Sequence, residues 1–208
     1  MRNLLRQIPL FAFLLLAPAA LGGTILFLGD SLTAGLGVEP NQAFPALIEE
    51  RIREKNLPYE VINAGVSGDT TAGGLARLDW VLQKKVDILV LALGANDGLR
   101  GLPVAQMKAN LQAIIDKVKA KNPAVKIVIA GMRMPPNLGG PYAGAFRDAF
   151  PAVALANNAV LVPFLLEGVG GHAELNQADQ IHPTAAGHKI VAENVWRVLE
   201  PILTKSGL

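Results

Sequence analysis

Cysteine is missing from all 208 residues, and histidine occurs only three times, as His172, His182 and His188. Without cysteine the chain has no disulfide framework and no attachment point for a lipid, so its compartment has to be inferred from other signals. A catalytic thiol is excluded as well, which leaves a hydroxyl as the natural nucleophile for covalent chemistry. One of the three histidines would then have to act as the base.

An excess of positive charge is also missing once the first residues are set aside. The 19 Lys and Arg and the 17 Asp and Glu give a net charge of +2. Arg2 and Arg6 lie within residues 1–23, which contain no acid, so residues 24–208 carry 17 charges of each sign. A nucleic-acid partner would require a basic stripe, and the sequence has none. We therefore expect that nucleic acid is not a partner of this protein.

The glycine-rich phosphate motifs are absent too. Gly35 and Gly37 begin a G-x-G pattern, but Pro40 stands where G-x-G-x-x-G needs its third glycine. No G-x-x-x-x-G-K-[ST] occurs either. Dinucleotide or nucleotide binding by these motifs is therefore disfavoured.

The N-terminal segment has the three parts of a secretory signal. Arg2 and Arg6 precede an apolar run over residues 8–16, and mostly small residues follow up to Gly23. The run is shorter than the roughly 20 apolar residues that a membrane span needs. We predict that residues 1–23 are an export signal with an approximate cleavage point, and that residues 24–208 form one periplasmic or secreted domain without stable membrane insertion. A buried helix or an uncleaved membrane tether is the alternative.

Five short apolar runs follow and predict strands at residues 24–28, 59–62, 86–93, 125–130 and 159–162. They are rich in Val, Ile and Leu with little alternation, as expected for strands buried on both faces. Between them, apolar residues recur at helical spacing. Alternating strands and helices predict an α/β fold, a three-layer α/β/α sandwich around a five-stranded parallel sheet.

Polar residues follow the predicted strands in the segments GDSLTAG, NAGVSGDTT and GANDG. The carboxyl ends of parallel strands open onto the crevice where ligands bind, although such turns are often polar only because they cap helices. Among the histidines, His182 differs by its setting, DQIHPT, in which Asp179 could orient the imidazole. We expect His188 to be a surface or packing residue of the last helix and His172 to be a loop residue.

Acyl transfer also needs donors aimed at a developing oxyanion. Asn96 can supply a side-chain amide, Gly68 a bare backbone N–H, and Ser31 its own N–H at the first turn of a helix. Each residue also has an ordinary reading as a turn or cap. Their joint occurrence at neighbouring strand ends favours a site.

Four ordered segments resemble the blocks of the SGNH, or GDSL, hydrolase family. They are GDSLTAG with Ser31, NAGVSGDT with Gly68, GAND with Asn96, and DQIHP with Asp179 and His182. The longer strings SGDTTAGGLARL and GANDGLRG look most like the bacterial periplasmic branch described as acyl-CoA thioesterase, lysophospholipase and arylesterase.

This resemblance implies a flavodoxin-like SGNH hydrolase fold and a serine esterase or thioesterase without metal or other cofactor. Ser31 would be the nucleophile, His182 the general base and acid, and Asp179 the orienting carboxylate. The backbone N–H groups of Ser31 and Gly68 and the Asn96 amide would form the oxyanion hole. We expect Asp30 to hold the turn. Gln180 stands where the family often has Gly, and we expect it to face away from the Asp–His pair.

Apolar residues in two loops predict the substrate pocket. The candidates, whose alternative role is ordinary packing, are Leu99, Met132, Met134, Pro135, Leu138 and Tyr142. An apolar acyl ester or thioester is the expected small-molecule substrate, and we expect a monomer. Three other functions stay open: an inactive binding module, a carbohydrate O-deacetylase, and a metal-dependent phosphatase that uses Asp30, Asp69 and Asp97.

Overall fold

The structure, a computed structural model, describes residues 22–134 and 139–205. Its centre is one sheet of five parallel strands in the order β2-β1-β3-β4-β5. The strands are β1 (Gly23–Gly29), β2 (Tyr59–Gly65), β3 (Ile88–Ala92), β4 (Lys126–Ala130) and β5 (Val160–Val162). This confirms the predicted parallel α/β sheet.

Eight α-helices connect or follow the strands of this described region. They are α1 (Ser31–Ala34), α2 (Phe44–Glu54), α3 (Thr71–Ala76), α4 (Leu78–Val81), α5 (Ala95–Leu99), α6 (Val104–Lys121), α7 (Gly140–Ala156) and α8 (Ala185–Lys205). Helix α2 packs against α8, whereas α6 packs against both α3 and α7. Right-handed crossovers place these two groups on opposite faces of the sheet, which gives the three layers.

Burial differs between the central and the edge strands. Every residue of β1 and β3 is buried, and β4 is buried after its first residue. In contrast, β2 mixes partly buried and exposed positions, and β5 goes from exposed Val160 through partly buried Leu161 to buried Val162. The expectation that all five strands are buried on both faces is therefore wrong for the two edges, where one side of each strand has no neighbouring strand.

Strand β1 begins at Gly23, one residue before the predicted start of the domain. The Gly23 N–H donates to the carbonyl of Pro58 at 2.8 Å. The rest of the predicted export signal, residues 1–21, lies outside the described residues. Within residues 22–134 and 139–205, no helix combines the length and hydropathy that a bilayer crossing requires.

The strand order fixes where a site can form. The chain leaves β1 towards β2 on one side and later returns to β3 on the other, so the carboxyl ends of β1 and β3 flank the switch point of the sheet. Open α/β sheets bind their ligands at such a crevice. Ser31 follows β1 directly, and Asn96 follows β3 after a short turn.

Candidate active site

Ser31 is the first residue of the short helix α1, which begins where β1 ends. Asp30 caps this helix, since its Oδ1 accepts a hydrogen bond from the Leu32 N–H at 3.0 Å. Asn63 holds the turn from the side through Nδ2, which donates to the Thr33 carbonyl at 2.9 Å. The N–H of a first helical residue has no partner within its helix. The Ser31 N–H is therefore available to a ligand.

The nucleophile turn packs closely against the end of β2. A Cβ placed on Gly65 would lie only 2.2 Å from the backbone nitrogen of Ala34. Any side chain at position 65 would therefore displace α1 and the serine that it carries. Only glycine allows this close approach of two backbone segments.

His182 lies in the loop before α8 and reaches Ser31 across the sheet edge. Its Nε2 is 2.9 Å from Ser31 Oγ, and its Nδ1 is 2.6 Å from Asp179 Oδ2. The loop is closed by a 2.7 Å hydrogen bond from the Gln177 N–H to the His182 carbonyl. The structure thus brings the predicted hydroxyl, imidazole and carboxylate into one hydrogen-bonded row.

Asp179 is an exposed carboxylate whose charged form is stabilised by hydrogen bonds. Its Oδ1 accepts the backbone N–H groups of His182 at 3.0 Å and Ile181 at 2.9 Å, while Oδ2 faces the imidazole. These hydrogen bonds, those from His182 foremost, hold the pKa of Asp179 well below its ordinary value. A carboxylate that stays ionised can fix one imidazole tautomer and stabilise the imidazolium.

Asp30 has the opposite electrostatic situation. Its side chain is buried, with 1% of the residue exposed. Burial raises the pKa of Asp30 to about 6, and the hydrogen bond from Leu32 and the nearby charge of His182 offset it only in part. Asp30 makes its capping bond to Leu32 and not to the imidazole, as expected of a residue that holds the turn.

The three candidate oxyanion donors follow neighbouring strands. Asn96 lies in the first turn of α5, and its Nδ2 donates to the Asp69 carbonyl at 2.9 Å and lies 3.4 Å from Asp30 Oδ2. Gly68 follows β2 with φ +83°, and its carbonyl accepts a 2.8 Å hydrogen bond from Arg100. No described residue accepts the Gly68 N–H. The bond from Asn96 to Asp69 ties the Gly68 turn to α5.

A cavity of about 620 Å³ opens beside this row of side chains. Ser31, Asn96 and His182 form part of its wall, whereas Gly68 is not among its lining residues. Its volume lies within the range of small-molecule sites, which span about 300–1,000 Å³. Most of the remaining wall is apolar and consists of Leu32, Ala95, Leu99, Met132, Met134, Phe164, Leu166 and Ile181.

Three of the six predicted substrate-binding residues, Leu99, Met132 and Met134, line the cavity. Pro135 and Leu138 lie outside the described residues. Tyr142 does not line the cavity, because its hydroxyl donates to the Leu102 carbonyl at 2.8 Å and its ring stacks on Phe146. Its predicted contact with substrate is therefore replaced by packing under the loop between α5 and α6.

One wall of the cavity comes from a segment that the sequence reasoning missed. Phe164 and Leu166 follow β5, and Ile181 precedes the site histidine. The available signal was the carboxyl end of the fifth strand, since the segment PFLLEGVGG places apolar residues and glycines at the same edge as the other strand ends.

The other two histidines lie apart from the row. His188 is buried in α8, stacks on Phe44 and accepts the Phe44 N–H through Nδ1 at 3.3 Å. Burial lowers the pKa of His188 to about 4, so the ring is neutral at physiological pH. His172 is exposed and lies 3.6 Å from Glu174. His188 is thus a packing residue and His172 a loop residue, as expected.

Gln180 adopts a left-handed backbone conformation with φ +59°. Its side chain donates to the Gln177 carbonyl at 3.2 Å and so turns away from the Asp179–His182 pair, as expected. A left-handed position explains why glycine suits it. The loop keeps its geometry with glutamine because a local hydrogen bond holds the side chain.

The acidic cluster considered for a metal-dependent phosphatase does not form. Asp69 pairs with Arg77 at 2.6 Å, and Asp97 accepts both the hydroxyl and the N–H of Thr71 at 2.6 and 2.8 Å. Asp30 accepts the Leu32 N–H. Over residues 22–134 and 139–205, no three acidic or histidine side chains group as metal ligands. Each carboxylate has its own structural partner instead.

A serine, an imidazole and a carboxylate in one row, at the crevice of a parallel α/β sheet, define a hydrolase of the serine type. The chain belongs to the GDSL-like Lipase/Acylhydrolase family, whose pattern matches residues 27–190. This membership confirms the resemblance found in the sequence.

Relatives match nearly the whole chain. Esterase TesA of Pseudomonas aeruginosa is 44% identical over 193 residues, which cover 92% of this chain and 95% of that protein. Thioesterase 1/protease 1/lysophospholipase L1 of Escherichia coli is 37% identical over 195 residues, with 93% and 91% covered. A crystal structure of TesA superimposes with a TM-score of 0.83 at 44% identity, covering 86% of this chain and 99% of that one. The fold and the hydrolase class are thereby shown.

Proposed function

We propose that this protein hydrolyses carboxylic esters and thioesters of apolar acyl groups through an acyl-enzyme on Ser31. The observation that carries the proposal is the row of two hydrogen bonds, 2.6 and 2.9 Å long, beside an apolar cavity. Relatives named as an esterase and as a thioesterase and lysophospholipase support the same chemistry.

In the first step, Ser31 Oγ attacks the acyl carbonyl carbon while its proton moves to His182 Nε2. Asp179 stabilises the resulting imidazolium through Nδ1, and its low pKa keeps it ionised for this task. The carbonyl oxygen takes up the displaced electron pair. His182 then returns the proton to the leaving alcohol or thiol, and the acyl-enzyme remains.

The developing oxyanion would receive the N–H groups of Ser31 and Gly68 and the side-chain amide of Asn96. The two backbone N–H groups lack acceptors among the described residues. Of the two contacts of Asn96 Nδ2, the one to Asp30 is long at 3.4 Å, so this N–H can turn to a substrate oxygen at little cost. Water activated by His182 would then release the acid.

The cavity favours an acyl chain longer than acetyl. Its volume and its apolar wall are larger than an acetyl group can fill. A carbohydrate O-deacetylase would instead need a small acyl pocket with polar walls. Esters and thioesters with apolar acyl chains therefore match the cavity better than acetylated carbohydrates do.

The test is hydrolysis of p-nitrophenyl esters from C2 to C16 by the purified protein, with EDTA present. We expect activity to survive chelation and to peak above C2, and we expect Ser31→Ala to lower kcat by about 10⁴-fold or more. Ser67→Ala serves as the matched control, because Ser67 is an exposed hydroxyl on a neighbouring turn.

Three results would contradict the proposal. Retained activity in Ser31→Ala would remove the nucleophile, and activity lost with EDTA alone would point to a metal-dependent reaction. A sharp optimum at C2 would favour a deacetylase.

We also propose that the chain is exported, on the strength of the basic start, apolar run and small-residue exit in residues 1–23. Because Gly23 pairs within β1, the mature protein should retain it. Mass spectrometry of the protein from a periplasmic fraction would locate the mature N-terminus. A full-length mass in the membrane fraction would instead indicate an uncleaved tether.

A further inference from the structure

Arg133 is the cation of the cavity wall. It follows β4, and its side chain is 50% exposed. Its guanidinium carbon lies 4.7 Å from the ring centre of Phe164, which follows β5. Stacking on an aromatic face attracts the cation and restricts the orientation of its plane. The planar group is therefore held in place while its N–H edge stays open.

The N–H donors of Arg133 are not used within the described part of the chain. Among those residues, none accepts a hydrogen bond from Arg133. The nearest carboxylate, Glu167 Oε2, lies 3.8 Å from Nη2, and both side chains are exposed by half or more. Such a pair contributes little.

The other two arginines near the site are occupied. Arg77 donates to Asp69 and to the carbonyls of Gly29 and Ala64. Arg100 donates to the carbonyl of Gly68. Both stabilise the turns at the strand ends. Of these three arginines, Arg133 is the one that lines the cavity, and it makes no hydrogen bond within the described residues.

A guanidinium with free donors matches the oxygens of a phosphate, to which it can bind through two parallel hydrogen bonds. We propose that Arg133 is a specificity-determining residue that binds a phosphate on the leaving group of the substrate. The inference rests on the proposed function, because it takes the apolar wall as the acyl site. Arg133 would then favour those acyl esters and thioesters whose alcohol or thiol carries a phosphate.

Glu167 is a second residue whose substitution should change phosphate binding. Its carboxylate lies beside the guanidinium and would compete with an incoming anion. Neutralising Glu167 should therefore strengthen phosphate binding, whereas neutralising Arg133 should weaken it. Two exposed positions thus predict opposite effects, which a loss of folding cannot imitate.

The experiment compares substrate pairs with the same C10 acyl chain. Decanoyl lysophosphatidylglycerol is paired with monodecanoylglycerol, and decanoyl-CoA with decanoyl-N-acetylcysteamine. For Arg133→Gln we expect the loss of kcat/KM on the phosphate-bearing member to exceed the loss on the neutral member about tenfold, mainly through KM. Arg133→Lys should lie between, and Glu167→Gln should lower KM for the phosphate-bearing members about twofold.

The two arms separate the sources of the phosphate. Selectivity lost in the glycerol pair alone identifies a lysophospholipid headgroup, and selectivity lost in the thioester pair alone identifies the coenzyme. Equal losses on both members of both pairs would overturn the proposal and leave Arg133 as a packing residue. Unchanged selectivity in Arg133→Gln would overturn it as well.

Binding of decyl phosphate tests the inference without catalysis. Calorimetry should give a Kd about tenfold higher for Arg133→Gln than for the wild type. The ratio of the two Kd values should become smaller at high salt, because salt screens the charge of Arg133. Equal Kd values would overturn the proposal. Because this measurement needs no hydrolysis, a failure of the proposed function would show separately, as inactivity of the wild type on neutral esters.

Discussion

Two carboxylates of the site, Asp30 and Asp179, have opposite environments. Asp30 is buried at the end of the central strand β1 and has a pKa raised to about 6. Asp179 lies in an exposed loop, with its side chain 45% exposed, and has a lowered pKa. The acid adjacent to the serine in sequence is therefore the one that ionises less readily.

The difference shows that burial raises one pKa while exposure and local hydrogen bonds lower the other, and the acid with the lowered pKa is the one that faces the histidine. Asp30 accepts one backbone N–H, from Leu32, at close range, and burial dominates. Asp179 accepts two backbone N–H groups in addition to the imidazole. Hydrogen bonds to the charged form of a carboxylate favour ionisation, and exposure to water does not oppose it. The exposed half of the site can thus supply the fixed negative charge.

Replacing Asp179, the acid with the lowered pKa, should have the largest effect. Asp179→Asn keeps the shape but removes the charge and favours the wrong imidazole tautomer, so kcat should fall by about 10³–10⁴-fold in ester hydrolysis. Asp87→Asn is the control, since Asp87 also accepts a backbone N–H and a lysine but lies before β3, at the opposite end of the sheet. Similar losses in both variants would contradict the assignment.

Asn96→Ala removes the candidate oxyanion donor that follows β3, without changing a charge. Loss of one oxyanion donor should lower kcat by about 10²–10³-fold. Asn122 is a buried asparagine that donates to the Val86 carbonyl at 2.9 Å, before β3 and β4 begin. Asn122→Ala should cost stability with little change in kcat. A kcat in Asn96→Ala within a few-fold of the wild type would remove the amide from the mechanism.

Asp30→Asn removes the acid with the raised pKa and should have the smallest effect, visible as a change in the pH dependence of stability. A folded-state pKa of about 6, against 3.8 for the free group, means that ionised Asp30 destabilises the fold as pH rises from about 4 to 6. Asparagine does not titrate and can still accept the Leu32 N–H. From pH 4 to pH 7, the unfolding free energy of the variant should gain on the wild type by roughly 3 kcal/mol at most.

Denaturant unfolding at several pH values measures this gain. A difference between the two proteins that does not change with pH would show that Asp30 titrates normally. A difference of the opposite sign would mean that the ionised form is the one stabilised by the fold.

The sequence predicted the centre of the fold better than its edges. Strands β1, β3 and β4 are continuous apolar runs because neighbours cover them on both sides and on both faces. In β2 and β5 the burial is mixed because each strand has one open side, although β5 is as apolar in sequence as the central strands. No local pattern distinguishes an edge strand from a central strand with polar neighbours, since the strand order is a property of the whole chain.

The site followed the same rule. Asp179 and His182 stand three residues apart in one segment, so their pairing could be predicted from the spacing, whereas the contact of His182 with Ser31 was expected from the family resemblance. The cavity wall depends on which loops meet in space. Phe164 comes from the end of β5, and Tyr142 turns to Leu102 instead of the cavity. These outcomes depend on tertiary packing that no spacing reveals.

The hydrogen bond between His182 and Ser31 joins positions 151 residues apart in sequence. Partial opening of the loop before α8 breaks this bond while the five strands stay paired, because the loop contributes nothing to the sheet. Proteins open locally at a lower free energy than they unfold globally. We therefore expect ester hydrolysis to be lost when this loop opens, under conditions in which the sheet and the core residues of α8 are still packed.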